Sequence, residues 1–199
     1  MCNRVILLDG GRQISSGTAE EVVRFYLESG AQLPSEMAWR YSKTAPGNDR
    51  ALIYAVRILD SHGQVTSQTD LESSFNVEIE YRVLVPNTVL NLSISLFNQD
   101  DVYVLASPSI TDAKWYQRPH PAGLYRSRCA IPGKLLNQGS YKISALLVEN
   151  GRHIAAQLDR VVSVELVDLG QSRGGYFGYW GGVVRPELNW TTEHTTQLG

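Results

Sequence analysis

Alternation of apolar and polar side chains is the feature that most restricts what this 199-residue chain can fold into. It is clearest in two stretches, 75–83 and 141–147, where apolar residues recur at every second position. A period of two places one row of side chains on each face of a β-strand. Each stretch therefore predicts a strand with one face in a core and the other in water, which antiparallel sheets permit.

Turn residues divide much of the remaining chain into further short strands. Asn150-Gly151 is the strongest turn signal, because this dipeptide tolerates the positive φ angles that tight hairpins need. Short strands are predicted at 51–59, 75–85, 90–98, 102–106, 125–131, 141–147, 153–156, 161–167 and 183–185. Many short strands with almost no helix predict an all-β fold, a two-sheet antiparallel β-sandwich.

Composition and charge exclude several classes of function. The net charge is −2 and no basic cluster occurs, so we expect no electrostatic steering onto nucleic acid. No apolar run approaches the roughly 18 residues of a transmembrane helix. The two cysteines, Cys2 and Cys129, are too far apart in sequence to suggest a disulfide framework, and a reducing compartment is the simpler interpretation.

The first 30 residues have a different pattern from the rest. They predict a hairpin, with strands at 4–9 and 12–15 around Gly10-Gly11, and then a helix from Thr18 to Gly30. Residues 31–50 are polar and contain Pro34, Pro46 and Gly47, so a linker is predicted there. The sandwich is predicted at 51–190, with a tail at 191–199.

The hairpin and helix carry a recognisable set of spaced residues. They are Cys2, Arg4, Leu8, Gly11, Gly17, Glu21 and Val22, with Asn3 at a position where Asp is usual. This set resembles the end of an ABC-transporter ATPase domain; the alternative is an unrelated hairpin and helix. The chain contains no G-x-x-x-x-G-K-[ST] phosphate-binding loop. We therefore expect no ATPase activity and no cofactor in this chain, with ATP and Mg²⁺ belonging to an ATPase domain outside it.

A second resemblance covers residues 51–190. The segments that carry it are 56–60 with Gly63, 75–81, 135–141 and 182–186 with Trp190. Together they resemble the Wzt-type carbohydrate-binding domain, the C-terminal domain of the ATPase subunits of ABC exporters of O-antigen and related polysaccharides. The resemblance implies an immunoglobulin-like sandwich that binds the end of the exported glycan in the cytoplasm.

The same resemblance implies partners and a location. It implies a homodimer that exchanges a C-terminal strand, and contact with the exporter's transmembrane subunit at the inner face of the inner membrane. The residues assigned to the exchanged strand are Val183, Val184, Arg185, Pro186 and Trp190. A Gly-rich stretch, 174–182, precedes them and would serve as the hinge. The rival hypothesis is a dimerisation or protein-interaction domain that binds no glycan.

Catalytic and metal-binding patterns are scarce. The sequence lacks C-x-x-C, H-E-x-x-H and G-x-S-x-G, and its four histidines have no metal-ligand spacing. We therefore predict no metal site and no catalytic residue. Glu78 and Glu80 share one strand face at about 7 Å from strand rise alone. That spacing could serve a glycosidase, but surface carboxylates on strands are common.

Glycan binding is the function that the polar strand faces favour. Sugar hydroxyls suit amides, carboxylates and guanidinium groups, and the apolar face of a sugar ring suits an aromatic side chain. The candidate binding residues are Asn76, Glu78, Glu80, Arg82, Ser93, Ser95, Phe97, Trp115, Tyr116, Arg118, His120, Arg126 and Arg128. We expect some of these to form one groove. For each residue alone, the alternative is a solvated strand face with charge pairs across strands.

Overall fold

The computed structural model describes residues 5–9, 12–18, 22, 33–39, 43–171, 173–176 and 178–192. The chain forms two compact units, Met1–Leu33 and Pro34–Gly199. In the first, β1 (Val5–Asp9) and β2 (Arg12–Gly17) pair antiparallel, which confirms the predicted hairpin. The N–H of Val22 donates to the carbonyl oxygen of Thr18 at 3.0 Å, the pairing of one helical turn. The rest of the predicted helix and the turn at 10–11 lie outside the described residues.

The second unit contains two sheets. We call the four-stranded one sheet I; its strands, in spatial order, are β10 (Gly123–Ile131), β6 (Phe75–Val83), β4 (Ala51–Leu59) and β3 (Glu36–Ala38). We call the larger one sheet II; its strands, in spatial order, are β5 (Gln68–Asp70), β12 (His153–Val167), β11 (Gly139–Glu149), β7 (Thr88–Asn98) and β8 (Tyr103–Pro108). The short β9 (Pro119–His120) also pairs with β7.

Apolar side chains from the inner faces of both sheets meet in one core. Ile53, Ile58, Leu96 and Ile143 are fully buried in it. Burying a side chain of this kind contributes about 1.5–3 kcal/mol relative to exposing it. Along β6, β7 and β11, the residues that alternate with the core residues face outward. This confirms the predicted alternation and the all-β sandwich. The outer faces of the two sheets therefore point in opposite directions.

The observed strands differ from the predicted ones in several places. The predicted strands at 153–156 and 161–167 are one strand, β12, because a bulge absorbs the polar residues between them. In that bulge Arg160 has φ 48°, and its N–H donates to Ser144 Oγ at 2.8 Å. β3, β5 and β9 were not predicted, since two or three residues show no period. Among the described strand pairs, β5 with β12 is the one that runs parallel.

Two turn regions complete the comparison. Asn150 and Gly151 have φ 51° and 67°, which confirms the predicted hairpin turn. The predicted strand at 183–185 is reduced to a bridge between Val184 and Leu136, flanked by two backbone hydrogen bonds. β3 lies inside the predicted linker and pairs with β4, so this part of 31–50 belongs to the sandwich.

Candidate functional site

The outer face of sheet I carries an ion-pair ladder, which we call the arginine ladder. It crosses the sheet from Glu36 on β3 through Arg57 on β4 and Glu78 and Glu80 on β6 to two arginines on β10, Arg126 and Arg128. The N···O distances are 2.6 Å from Arg57 to Glu36, and 3.1 and 3.2 Å from Arg57 to Glu78 and Glu80. Arg126 lies 2.9 Å from Glu80, and Arg128 lies 2.8 Å from Glu78.

The carboxylates of the arginine ladder are satisfied within the protein. The Glu78 side chain is 5% exposed and bonds to two guanidinium groups. Burial would raise the pKa of Glu80, but hydrogen bonds from Arg126 and Arg57 outweigh it and lower that pKa. Burial would lower the pKa of Arg57, and its bonds to Glu36 and Glu80 raise it instead. A general acid needs a raised carboxyl pKa, whereas the pKa of Glu80 is lowered; the expectation of no catalytic residue stays a prediction.

Two other predicted residues share the outer face of sheet I. Arg82 is exposed and makes no ion pair with a described carboxylate, and Asn76 is half-buried at the start of β6. A cleft of 410 Å³ opens beside the ladder at β3. It is lined by Glu36, Ala38, Trp39, Tyr54, Arg57 and Glu80. Its charged groups already bond to one another, so few of their hydrogen-bonding positions remain open to a ligand.

The predicted loop residues form an aromatic cluster instead of a polar binding edge. His120 is 1% exposed, and its ring stacks on Trp115 at 4.8 Å. Tyr125 contacts both rings edge-on and stacks on Tyr81. Burial lowers the pKa of His120, and its Nδ1 lies 3.0 Å from the Arg118 carbonyl oxygen. The ring of His120 is enclosed, so it offers little surface to a ligand, and its part in glycan binding stays a prediction.

The remaining loop candidates lie at the outside of that cluster. Tyr116 is half-buried, and its hydroxyl accepts a hydrogen bond from Gln117 at 3.2 Å. Arg118 is exposed. Trp115 is half-buried, with Lys114 above its ring at 5.3 Å. These side chains are accessible to solvent. The groups around them belong to the aromatic cluster and to the loop that carries them.

The third group of predicted residues lies on the outer face of sheet II. Ser93, Ser95 and Phe97 point outward from β7, as predicted. Phe97 contacts Tyr103 edge-on at 5.2 Å, and the Arg160 guanidinium lies 4.6 Å from the Phe97 ring centroid. Ser93 and the ladder's Arg128 line one cavity of 350 Å³. That some of the candidate residues form a glycan-binding groove stays a prediction.

A cavity of 670 Å³ opens at the end of sheet II, where β7 ends, β11 begins and β12 ends. We call it the Glu165 pocket. It is lined by amides, carboxylates and three aromatic residues from the strand ends and the C-terminal segment. The residues are Asn98, Gln99, Asp100, Asn137, Gln138, Gly139, Ser140, Tyr141, Glu165, Leu166, Val167, Asp168, Tyr179, Trp180, Gly182 and Val183.

Buried polar groups hold the C-terminal side of this pocket in place. The buried amide of Asn137 donates from Nδ2 to the carbonyl oxygens of Trp180 and Gly182, at 2.7 and 2.8 Å. The Tyr141 hydroxyl lies 2.9 Å from the carbonyl oxygen of Asn137 and 3.0 Å from that of Val183. Gly182 has φ 98°, which favours glycine there. The C-terminal end of the predicted Gly-rich hinge is therefore anchored to the sandwich.

A buried ion pair adds to this anchoring. The side chains of Arg185 and Asp168 are 6% and 3% exposed and bond to each other, and Arg173 bonds to Asp168 at 2.8 Å. The Arg185 guanidinium also lies 4.1 Å from the Trp180 ring centroid. Burial would raise the pKa of Asp168, but its bonds to Arg185, Gly170 and Arg173 lower it.

The polar side chains that point into the pocket are largely uncommitted. The half-buried carboxylate of Glu165 makes no hydrogen bond or ion pair with any described residue. Burial raises its pKa. The side chains of Gln99, Gln138 and Ser140 likewise have no described partner. Tyr179 is 87% exposed at the rim. Uncommitted amides, a carboxylate and exposed rings are the groups that recognise a sugar.

Sequence reasoning missed this pocket. Gln99, Gln138 and Tyr179 lie in turns and in the Gly-rich segment, where no strand pattern draws attention to them. Glu165 stands in an apolar run, Val161–Val167, and a lone carboxylate there is the signal that could have identified it. Trp180 lies in the pocket wall, in the same Gly-rich segment.

Four of the five residues predicted to exchange between protomers, all except Val183, line a second cavity of 740 Å³, which we call the C-terminal groove. It is lined by Leu71, Glu72, Lys134, Leu136, Gln171, Trp180, Val184, Arg185, Pro186, Glu187, Leu188 and Trp190. Val183 packs against the core, and Val184 is half-exposed. Trp190 is 92% exposed and Leu188 is 70% exposed. Such exposure of large apolar side chains is typical of an interaction surface.

The described residues offer neither a metal-ligand cluster nor a membrane-spanning helix. Within the described residues, no group of three or more His, Cys, Asp or Glu side chains is placed to hold a metal ion. The described residues also include no helix with the length and apolar character to cross a bilayer. The expectations of no metal and no cofactor in this chain remain predictions.

Comparison with known proteins identifies the family. No curated protein sequence matches the chain significantly. The crystal structure of the C-terminal domain of Wzt matches with a TM-score of 0.59 and 11% identity, covering 81% of this chain and 92% of that one. A CARDB domain from Pyrococcus furiosus, solved in complex with di-metal ions, matches with a TM-score of only 0.31 and 12% identity, covering 65% and 100%.

The comparison by sequence family agrees with the structural match. The match to the Wzt structure supports the fold, a β-sandwich, as the strand pattern predicts. The family model of the Wzt C-terminal domain matches residues 42–178, more than half of the chain. The chain belongs to the Wzt C-terminal domain family.

Proposed function

We propose that this chain is the glycan-recognition domain of an ABC-type polysaccharide exporter. It binds the end of a lipid-linked O-antigen-type polysaccharide at the cytoplasmic face of the inner membrane. In this proposal the chain is not itself an enzyme, and ATP and Mg²⁺ act on an ATPase domain of the full-length protein. That protein contacts the transmembrane subunit of the exporter.

The Glu165 pocket is the observation that carries the proposal. It combines a volume of 670 Å³ with uncommitted amides, a half-buried carboxylate and an exposed tyrosine. The buried Asn137 amide fixes the segment that bears Tyr179 and Trp180. A site whose groups are held in place before binding loses less conformational entropy when the ligand arrives.

The test is calorimetric titration of the full chain with purified polysaccharide from the organism that encodes it, intact and end-trimmed. We expect binding to the intact chain only, and at least about tenfold weaker binding by Tyr179→Ala and Gln99→Ala. Arg128→Ala on the outer face of sheet I is the control and should bind normally. Absence of binding by a folded protein, or equal loss in Arg128→Ala, would contradict the assignment.

A second function, homodimerisation, is favoured by the C-terminal groove. Exposed Leu188 and Trp190 lie beside this groove of 740 Å³ with its apolar wall. A second copy of the chain that covers this surface would remove both side chains from water. The double variant Leu188→Ser/Trp190→Ser should lower the mass measured by light scattering to that of a monomer. Leu169→Ser is the matched control, since Leu169 is 67% exposed outside the groove.

A further inference from the structure

The charge in the Glu165 pocket has one sign. Asp100, Glu165 and Asp168 line it, and none of the described lining residues is a lysine, arginine or histidine. Asp168 is neutralised by two arginines, and Asp100 is exposed on a turn. Glu165 is therefore the one lining carboxylate that is both half-buried and without a described partner.

The cations that flank the pocket are already bonded to protein carboxylates. Asp101 accepts Lys142 at 3.0 Å and Arg160 at 2.9 Å. Arg173 and Arg185 both bond to Asp168. An anionic ligand would have to break one of these pairs to gain a counter-charge. The pocket thus provides hydrogen-bond acceptors without a free cation among the described residues around it.

We propose that the Glu165 pocket takes an uncharged, hydroxyl-rich sugar and rejects one that carries a uronate or phosphate, with Glu165 as the specificity-determining residue. This inference rests on the proposed function and names the class of glycan end. A carboxylate accepts hydrogen bonds from two sugar hydroxyls, and the charge-assisted bonds are about twice as strong as neutral ones. The raised pKa of Glu165, caused by burial, agrees with an environment that lacks a compensating cation.

Electrostatic repulsion by Glu165 discriminates against an anionic sugar. A ligand anion a few ångströms from Glu165 interacts unfavourably, and the penalty grows as water is excluded from the site. We expect a preference on the order of fivefold or more for a neutral sugar over its anionic counterpart at low salt. Exclusion by an unpaired charge is a common route to specificity, since it acts without any change in the contacts to the correct ligand.

The test uses matched sugar pairs and ligand-observed NMR on the full chain. Methyl glucoside, galactoside and mannoside are each compared with the methyl uronide that differs only by oxidation at C6. The wild type should bind the neutral member of at least one pair about fivefold tighter than its uronide. Glu165→Gln keeps the shape of the side chain and should bring that ratio close to one. Asp159→Asn is the control, because Asp159 is an exposed carboxylate elsewhere on β12.

Each outcome has a separate meaning. A neutral preference that disappears in Glu165→Gln and survives in Asp159→Asn supports the inference. Tighter binding of a uronide by the wild type overturns it while leaving glycan recognition intact. A preference that Glu165→Gln does not change overturns the role of Glu165. Binding of no sugar in either series overturns the proposed function, and the inference with it.

Discussion

The arginine ladder lies on the outer face of sheet I and the Glu165 pocket lies at the end of sheet II, and the two use their polar side chains in opposite ways. In the ladder, carboxylates and guanidinium groups alternate from strand to strand, and each carboxylate bonds to an arginine. In the pocket, the side chains of Glu165, Gln99 and Gln138 have no described protein partner. A ligand at the ladder must displace existing bonds, whereas a ligand in the pocket displaces water.

This difference shows that a high density of polar side chains does not by itself identify a binding site. The ladder has more charged groups than the pocket, but these groups stabilise each other across strands. The pocket differs in two respects. Several of its polar side chains have no described protein partner, and hydrogen bonds hold the backbone around them in place. The following predictions test that distinction, beginning with the largest expected effect.

Arg57→Met should cause the largest loss of stability. Arg57 is 21% exposed and is the one guanidinium that bonds to Glu36, Glu78 and Glu80 together. Its removal leaves the buried Glu78 carboxylate with a single cation. Removing one partner of a buried ion pair typically lowers the free energy of unfolding by about 3 kcal/mol or more. Urea denaturation measures this loss.

The same variant should leave glycan affinity unchanged, measured by calorimetry below its unfolding midpoint. Lys134→Met is the control, because Lys134 pairs with Glu187 on the exposed surface and should cost at most about 1 kcal/mol. Weaker binding by Arg57→Met would place part of the recognition site on sheet I and remove the contrast between the two faces.

Asn137→Asp should affect both stability and binding. The substitution keeps the side-chain shape but replaces the Nδ2 donor with an oxygen that faces the carbonyl oxygens of Trp180 and Gly182. Lost hydrogen bonds to buried acceptors lower the free energy of unfolding by about 2 kcal/mol. We expect glycan affinity to fall as well, because Tyr179 and Trp180 are no longer held. Full affinity in this variant would show that the hydrogen bonds of Asn137 do not shape the glycan site.

Replacing a single carboxylate with its amide should have opposite effects in the two regions. Glu80→Gln removes charge-assisted bonds to Arg57 and Arg126, so stability at pH 7 should fall by about 1–2 kcal/mol. Glu165→Gln removes a charge that burial disfavours, so stability at pH 7 should rise slightly. Urea denaturation at pH 7 measures both changes.

The pH dependence of stability provides the check. The folded-state pKa of Glu80 is lowered, so the contribution of Glu80 is present above its unfolded pKa, about 4.3, and is lost as pH falls through the folded value. The raised pKa of Glu165 has the reverse effect: its carboxylate destabilises the fold at neutral pH, and this cost disappears in acid. The free energy of unfolding of the wild type should therefore exceed that of Glu80→Gln by less in acid than at pH 7. The amount by which Glu165→Gln exceeds the wild type should shrink in acid as well.

Sequence patterns predicted most of the sandwich because its strands obey a simple period. The strand predicted at 75–85 had its inward and outward faces assigned, since the core selects every second side chain there. For Ala51–Leu59 only the strand was predicted, and seven of its nine residues are buried. β3 and β5 were missed because three residues contain no period, and their pairing depends on tertiary contacts. The polar residues of the bulge near Arg160 interrupt the apolar alternation, so two strands were predicted where the structure has one, β12.

The candidate site was harder to predict than the fold. Polar alternation correctly identified Glu78, Glu80, Arg126 and Arg128 as outward-facing, but it gives no sign of which outward groups pair with each other. The pocket is assembled from turns and strand ends that are distant in sequence, such as Gln99 and Tyr179. Only the connection between strands brings such residues together, and a linear pattern does not contain it.

The smallest expected effect concerns how far recognition extends over sheet II from the pocket. Tyr103 is 56% exposed and contacts Phe97, one of the predicted residues, which directly precedes Asn98 in the pocket wall. If a bound polysaccharide continues across this face, Tyr103→Ala should weaken polysaccharide binding roughly threefold, or about 0.7 kcal/mol. Binding of a short oligosaccharide that fills only the pocket should not change. Leu124→Ala is the matched control, since Leu124 is also 56% exposed but lies on sheet I. Equal weakening of both ligands by Tyr103→Ala would instead mean that Tyr103 acts on the pocket itself.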